Sequence, residues 1–117
     1  MSYGIGAVEP GMFGLGPVAA AQQALARAGW SVKEVDRVEI NEAFAAISLA
    51  CLREIGFAED IVNVDGGAIA LGHPIGASGA VLAARLMHSM RRDGCNRGIV
   101  TLCIGGGQGI ALALEML

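Results

Sequence analysis

Aromatic residues make up only 4% of this 117-residue chain, and proline and cysteine occur 3 times each. A core must therefore be filled from the Val, Ile, Leu and Ala that dominate its 54% hydrophobic fraction. Cys51, Cys95 and Cys103 show no C-x-x-C spacing and do not pair evenly, which argues against a disulfide scaffold and against a zinc site. Lys and Arg number 8 against 11 acidic residues, for a formal net charge of −3. With no basic stripe and no interleaved aromatics, nothing invites a nucleic-acid partner. The longest apolar run, Ala43 to Leu52, is bounded by Glu42 and Arg53 and falls well short of the roughly 20 residues that span a bilayer. No charged-then-apolar leader follows Met1. The expectation is no membrane association and a reducing, cytoplasmic setting.

What the chain has in quantity is glycine, 18 in all, and its glycines punctuate a regular pattern. The length suits one domain over residues 1–117. Its apolar content is high for so small a body, so part of it is expected to face a partner. Tyr3 to Val8 reads as a weak opening strand. Pro17 starts a helix carrying Val18, Ala21, Leu25 and Ala28, which Gly29 stops. Ser31 and Glu34 fit a capping box. Val38 and Ile40 alternate with charges, as in a strand. Glu42 to Ile55 has a helical stripe of Phe44, Ile47, Cys51 and Ile55, closed by Gly56. Ile61 to Val64 reads as a short strand, Ala68 to Gly79 as a glycine-rich loop, and Ser78 to Arg92 as a helix built on Leu82, Leu86 and Met90. Gly98 to Cys103 and Ile110 to Glu115 close the chain as strands. Helices between strands predict an α/β fold, a mainly parallel sheet covered on both faces, with an antiparallel carboxy-terminal strand.

Three polar, reactive residues follow predicted strands and precede small ones: Asn41, His73 and Cys103. Ligands of parallel sheets bind beyond the carboxyl ends of the strands, so neighbouring strands would bring amide, imidazole and thiol to one cleft. Each residue also has a structural role open to it. Asn41 suits a helix cap, His73 can satisfy free backbone groups of its loop, and Cys103 can act as a small buried hydrophobe. Cys51 belongs to a core stripe, Cys95 to a polar turn, and His88 to a solvated helix face. Gly105 to Gly109 holds no G-x-G-x-x-G and no Gly-Lys-Ser/Thr, and a strand follows it, so it is not a phosphate loop.

Taken with their spacing, these segments resemble the thiolase superfamily along essentially the whole chain. Asn41-Glu42-Ala43-Phe44-Ala45 resembles its N-E-A-F block, Asn63 to Gly79 its G-H-P block, and Cys103 to Gly109 its C-x-G block. The resemblance implies a carboxy-terminal half built on a mixed five-stranded sheet layered between helices. It also implies reversible Claisen transfer of acyl groups between coenzyme A thioesters, with no cofactor and with acyl-CoA as substrate. On that resemblance Cys103 is the acid/base and His73 activates a nucleophilic cysteine and donates to the thioester oxygen. Asn41 holds a water that is the other donor to that oxygen. The Gly105 amide serves a second oxyanion hole, and Phe13 lines the acyl pocket where the family often has methionine. The nucleophile belongs to an amino-terminal half that no segment here matches. The implied partners are that half and further copies of the chain, and the chain is expected to be inactive alone. A binding or assembly module without chemistry, and a self-sufficient Cys–His–Asn hydrolase, are the competing readings.

Overall fold

The computed structural model describes residues 1–117 throughout. Four strands form one sheet: β1 (Ser2–Ala7), β2 (Arg37–Ile40), β3 (Arg97–Ile104) and β4 (Gln108–Glu115), in the order β1-β4-β3-β2. Two of the three pairings, β1 with β4 and β4 with β3, are antiparallel, and only β2 with β3 is parallel. This corrects the expected five-stranded, mainly parallel sheet on both counts. β1, β2 and β3 run in one direction, but β4 folds back from β3 through the Gly105–Gly107 turn and inserts between β3 and β1.

The missing fifth strand has a local cause. Glu59–Ile61 forms a 3₁₀ turn, and Val62 makes only an isolated parallel bridge to Val38. Asn63 then takes a left-handed backbone, φ 46°, and turns the chain away. Its side-chain amide replaces the next strand residue. Oδ1 accepts the Ile40 N–H at 2.9 Å, while Nδ2 donates to the Ile40 carbonyl at 2.9 Å. One side chain thus satisfies a donor and an acceptor at the free edge of β2, groups whose burial without partners would cost about 1–3 kcal/mol each.

Four helices flank the sheet: α1 (Gly16–Ala28), α2 (Ala45–Ile55), α3 (Ala68–Leu71) and α4 (Ser78–Asp93). Pro17 lies in the first turn of α1, and Gly29, at φ 72°, closes it with a bond from its N–H to the Ala26 carbonyl. The Glu34 carboxylate takes the Ser31 N–H at 2.8 Å and its hydroxyl at 2.9 Å, fixing the turn before β2. α2 begins three residues later than its sequence suggests. Phe44 stands at its N-cap with an extended backbone and is 65% exposed, outside the buried stripe of Ile47, Cys51 and Ile55.

The sheet separates two apolar clusters. On one side Ala20, Ala24 and Leu25 of α1 and the α2 stripe pack against Val38, Ile40, Ile99, Ala111 and Ala113. On the other, Leu82, Leu86 and Met90 of α4 pack against Val100, with Leu102 and Leu112 beside them. α1 lies unusually near the sheet because its contact is built from residues without side chains. A Cβ added at Gly109 would sit 2.1 Å from the Gly16 carbonyl carbon, and one at Gly4 would sit 2.0 Å from the Ala20 oxygen. Both obstacles are backbone, so neither can swing away.

Gly109→Ala is therefore expected to cost at least about 3 kcal/mol, the upper range for overpacking. Gly105→Ala, whose added carbon meets nothing within 4 Å, is expected to change stability by less than about 1 kcal/mol. Urea unfolding of the two variants beside the parent chain checks the contrast.

Candidate functional site

The parallel register of β2 and β3 sets the site. Ile40 is opposite Thr101, and the Asn41 N–H donates to the Thr101 carbonyl at 3.1 Å. Asn41 thus leaves β2 beside β3, and Cys103 lies two residues beyond Thr101, about 7 Å along that strand. Asn41 does not cap a helix. It is 2% exposed, and its Nδ2 reaches His73 Nε2 at 3.4 Å. His73 Nδ1 meets Ser78 Oγ at 2.5 Å, and that hydroxyl donates to the Pro74 carbonyl at 3.0 Å. Asn41, Pro74 and Ser78 line a cavity of about 230 Å³ that extends to Leu71, Val81 and Arg85.

The loop carrying His73 is tied back to the strand ends by two carboxylates. Glu42 Oε1 accepts from Asn63 Nδ2 at 3.0 Å, and its Oε2 accepts the Ile69 N–H, in α3, at 3.0 Å. On the same face as Asn41, Glu39 is fully buried and its Oε2 takes a bond from Arg85 Nε at 3.3 Å. Arg85 Nη2 also donates to the Gly66 carbonyl, so one guanidinium joins β2, α4 and the loop. Burial pushes the Glu39 carboxyl above the ordinary range, and the Arg85 charge partly offsets this. Sequence patterning misses Glu39, Arg85 and Ser78. Glu39 reads as the polar phase of a half-exposed strand, yet both faces of β2 are covered.

Cys103 stands apart from the amide–imidazole pair. Ile99 and Thr101 point toward α1, Val100 toward α4, so the alternation of β3 turns Cys103 to the α1 and α2 side. It does not line the cavity beside Asn41, and the ring nitrogens of His73 are engaged by Asn41 and Ser78. Burial pushes its thiol above the ordinary range. The chain alone therefore presents no imidazole-activated thiolate, and the self-sufficient hydrolase has no geometric support. Gly105 lies exposed in the turn after β3. Phe13, 38% exposed, lines a separate apolar cleft of about 300 Å³ with Met12, Leu15, Ala46, Ile47 and Ala50. Cys51 is fully buried and donates to the Gly14 carbonyl at 3.3 Å. No group of three or more His, Cys, Asp or Glu side chains is placed to hold a metal ion, and no helix is long and apolar enough to cross a membrane.

Comparison with known proteins identifies the family to which this chain belongs. The family model described as "Thiolase, C-terminal domain" matches residues 1–116, and the chain belongs to that family. Among individual relatives, it is 55% identical over 113 residues to acetyl-CoA acetyltransferase of Chromobacterium violaceum, covering 97% of this chain and 29% of the relative. It is 52% identical to the cytosolic acetyl-CoA acetyltransferase of Rattus norvegicus, covering 98% of this chain and 29% of the relative. Among solved structures, it superposes on acetyl-CoA acetyltransferase of Bacillus anthracis with TM-score 0.96 at 43% identity, over 99% of this chain and 29% of that one. Human mitochondrial 3-ketoacyl-CoA thiolase in complex with CoA gives TM-score 0.97 at 45% identity, over 100% of this chain and 30% of that one. The chain thus spans under a third of the length of these relatives. They include both a cytosolic and a mitochondrial protein.

The buried thiol supplies a test of the packing around the site. Burial, with a smaller contribution from nearby Cys103, pushes Cys51 up to about 11. The unfolded chain gives up this proton near the ordinary thiol value of about 8.5, while the folded chain keeps it. Its contribution to stability is therefore complete below about pH 8.5 and is lost as pH rises to about 11, a loss of up to about 3 kcal/mol. Urea titrations at stepped pH are expected to show this decline, and Cys51→Ala to show a shallower one.

Proposed function

We propose that this chain is the carboxy-terminal catalytic half of a thiolase. It would move acyl groups between coenzyme A thioesters at a site completed by an amino-terminal half. The observation that carries this reading is the Asn41–His73 contact beside the end of the strand that holds Cys103. The family membership supports the reaction class, and the partial coverage of the relatives supports the need for a second half.

In the cleavage direction the partner's nucleophilic thiol loses its proton to His73 and attacks the 3-keto carbon of a 3-ketoacyl-CoA. The C–C bond breaks, the acyl group stays on the nucleophile's sulfur, and the acetyl-CoA enolate leaves. Cys103 returns a proton to that enolate carbon. A thiol held protonated by burial is suited to this step, and the same group as thiolate removes the proton in the condensing direction. The Gly105 N–H, with the amide of the partner half's nucleophile, donates to the oxygen of the acyl group carried on that nucleophile. Asn41, through a water, joins His73 in donating to the thioester oxygen that carries charge during condensation. Coenzyme A supplies the thiol that releases the acyl group. Phe13 narrows the acyl pocket.

The surface around the strand ends fits a chain that binds another. Phe44, Ile69, Leu71 and Ile75 are all more than 60% exposed, an unusual concentration of large apolar side chains beside polar catalytic groups. Further copies of the chain would associate through the same enzyme assembly.

Mixing this chain with the amino-terminal part of the Chromobacterium violaceum relative, then following acetoacetyl-CoA cleavage in the presence of coenzyme A, tests the proposal. Activity is expected from the mixture and from neither part alone. Cys103→Ser and His73→Ala are each expected to lower kcat by about 10²–10⁴, and Asn41→Ala by about 10²–10³. A stable complex of the two parts with no turnover would favour the assembly-module reading instead.

A further inference from the structure

We propose that Ser78 is the positioning residue that fixes the proton of His73 on Nδ1, leaving Nε2 free to accept one. Its value for catalysis rests on the thiolase reading above, but the assignment itself rests on hydrogen-bond geometry in this chain.

Ser78 opens α4 and is 4% exposed. Its backbone N–H already bonds the Pro74 carbonyl at 2.8 Å, which holds the serine under the imidazole five residues from His73. The hydroxyl lies 3.0 Å from the same carbonyl and 2.5 Å from His73 Nδ1. A serine has one hydrogen to give, so two proton arrangements compete. In the first, the Asn41 amide donates to Nε2, Nδ1–H donates to Ser78 Oγ, and the Ser78 hydroxyl donates to Pro74. All three contacts are hydrogen bonds, and each proton points the same way along the chain. In the second, the Asn41 amide is turned over, Nε2–H donates to its oxygen, and Ser78 spends its hydrogen on Nδ1. Only two bonds form, and the Oγ–Pro74 contact becomes two oxygens facing each other without a hydrogen. The first arrangement wins by one bond and removes one repulsion.

That outcome has a chemical direction. The tautomer of a histidine is set by the bond made by its other ring nitrogen. An imidazole protonated on Nδ1 presents a bare Nε2 beside Asn41, and this is the state a base needs when it takes a proton from a thiol. In the imidazolium that follows, the Ser78 oxygen retains the Nδ1 proton. Removing the hydroxyl leaves Nδ1 without a partner and lets the ring take the Nε2–H form that an unrestrained imidazole prefers in water.

The test uses the full chain, labelled with ¹⁵N, at mildly alkaline pH. Two-bond ¹H–¹⁵N correlations report which ring nitrogen carries hydrogen, with exposed His88 as internal control. His73 in the parent chain is expected to show a protonated Nδ1 and a bare Nε2, the reverse of His88. Ser78→Ala is expected to bring the His73 pattern to that of His88, with the rest of the amide spectrum retained, and Ser78→Thr to preserve the parent pattern. Nε2–H in the parent chain overturns the assignment, whether or not the alanine variant folds, and so does an unchanged tautomer in a folded Ser78→Ala chain. The two readings also fail separately. A parent chain with the expected tautomer that gives no turnover with an amino-terminal half sinks the thiolase reading and leaves the role of Ser78 standing. With turnover present, Ser78→Ala is expected to lower kcat at least tenfold at unchanged KM.

Discussion

The free edge of β2 is where this structure is decided. A strand edge exposes backbone donors and acceptors that must be paired or hydrated, and here the Asn63 side chain pairs them with Ile40. The same amide hands a hydrogen to Glu42, whose second oxygen holds the first turn of α3. A short chain of contacts therefore runs from the strand to the loop that carries His73. Without it, β2 would still pair with β3, but the loop would keep only its tie through Arg85 to Glu39 and the contact of His73 with Ser78. The loop carrying His73 is placed by side-chain amides and carboxylates more than by apolar burial, which is consistent with its exposed position in this chain.

Much of the secondary structure was legible because it follows from short-range physics. α1 and α4 are announced by apolar spacing and by glycines that stop them, and the Ser31–Glu34 pair marks its turn. Errors came where a residue's partner is distant in sequence. Val62 and Asn63 have the composition of a strand, but a side-chain amide takes the place of the ladder, and no local pattern distinguishes these. Phe44 continues a helical stripe on paper, yet its backbone is extended and its ring points outward. The sheet order was illegible for a related reason. The hairpin turn shows that β4 reverses, but only packing against α1 shows that it slides between β3 and β1.

The site was legible in its members and less so in its wiring. Residue type and position after strands selected Asn41, His73 and Cys103, and family resemblance supplied their expected roles. The contact between Asn41 and His73 follows from the Asn63–Glu42 link that ties the loop to β2. The side of the sheet to which Cys103 turns does not follow from its position after a strand; it follows from the alternation of β3 once Ile99 and Thr101 are assigned to the α1 face. Ser78 and Arg85 escaped notice because each looks like an ordinary helix residue, and their meaning depends on which groups lie beneath them.

The pairing of β1 with β4 has a kinetic meaning. Ser2 is opposite Ala113, so the sheet is completed by joining segments far apart in sequence. The β3–β4 hairpin needs only a three-residue turn, while β1 must find β4 across the intervening chain, and loop closure over that distance costs more entropy than the hairpin does. High contact order of this kind belongs to slow folders. The glycine seam under α1 is thus completed only when β1 and β4 have met.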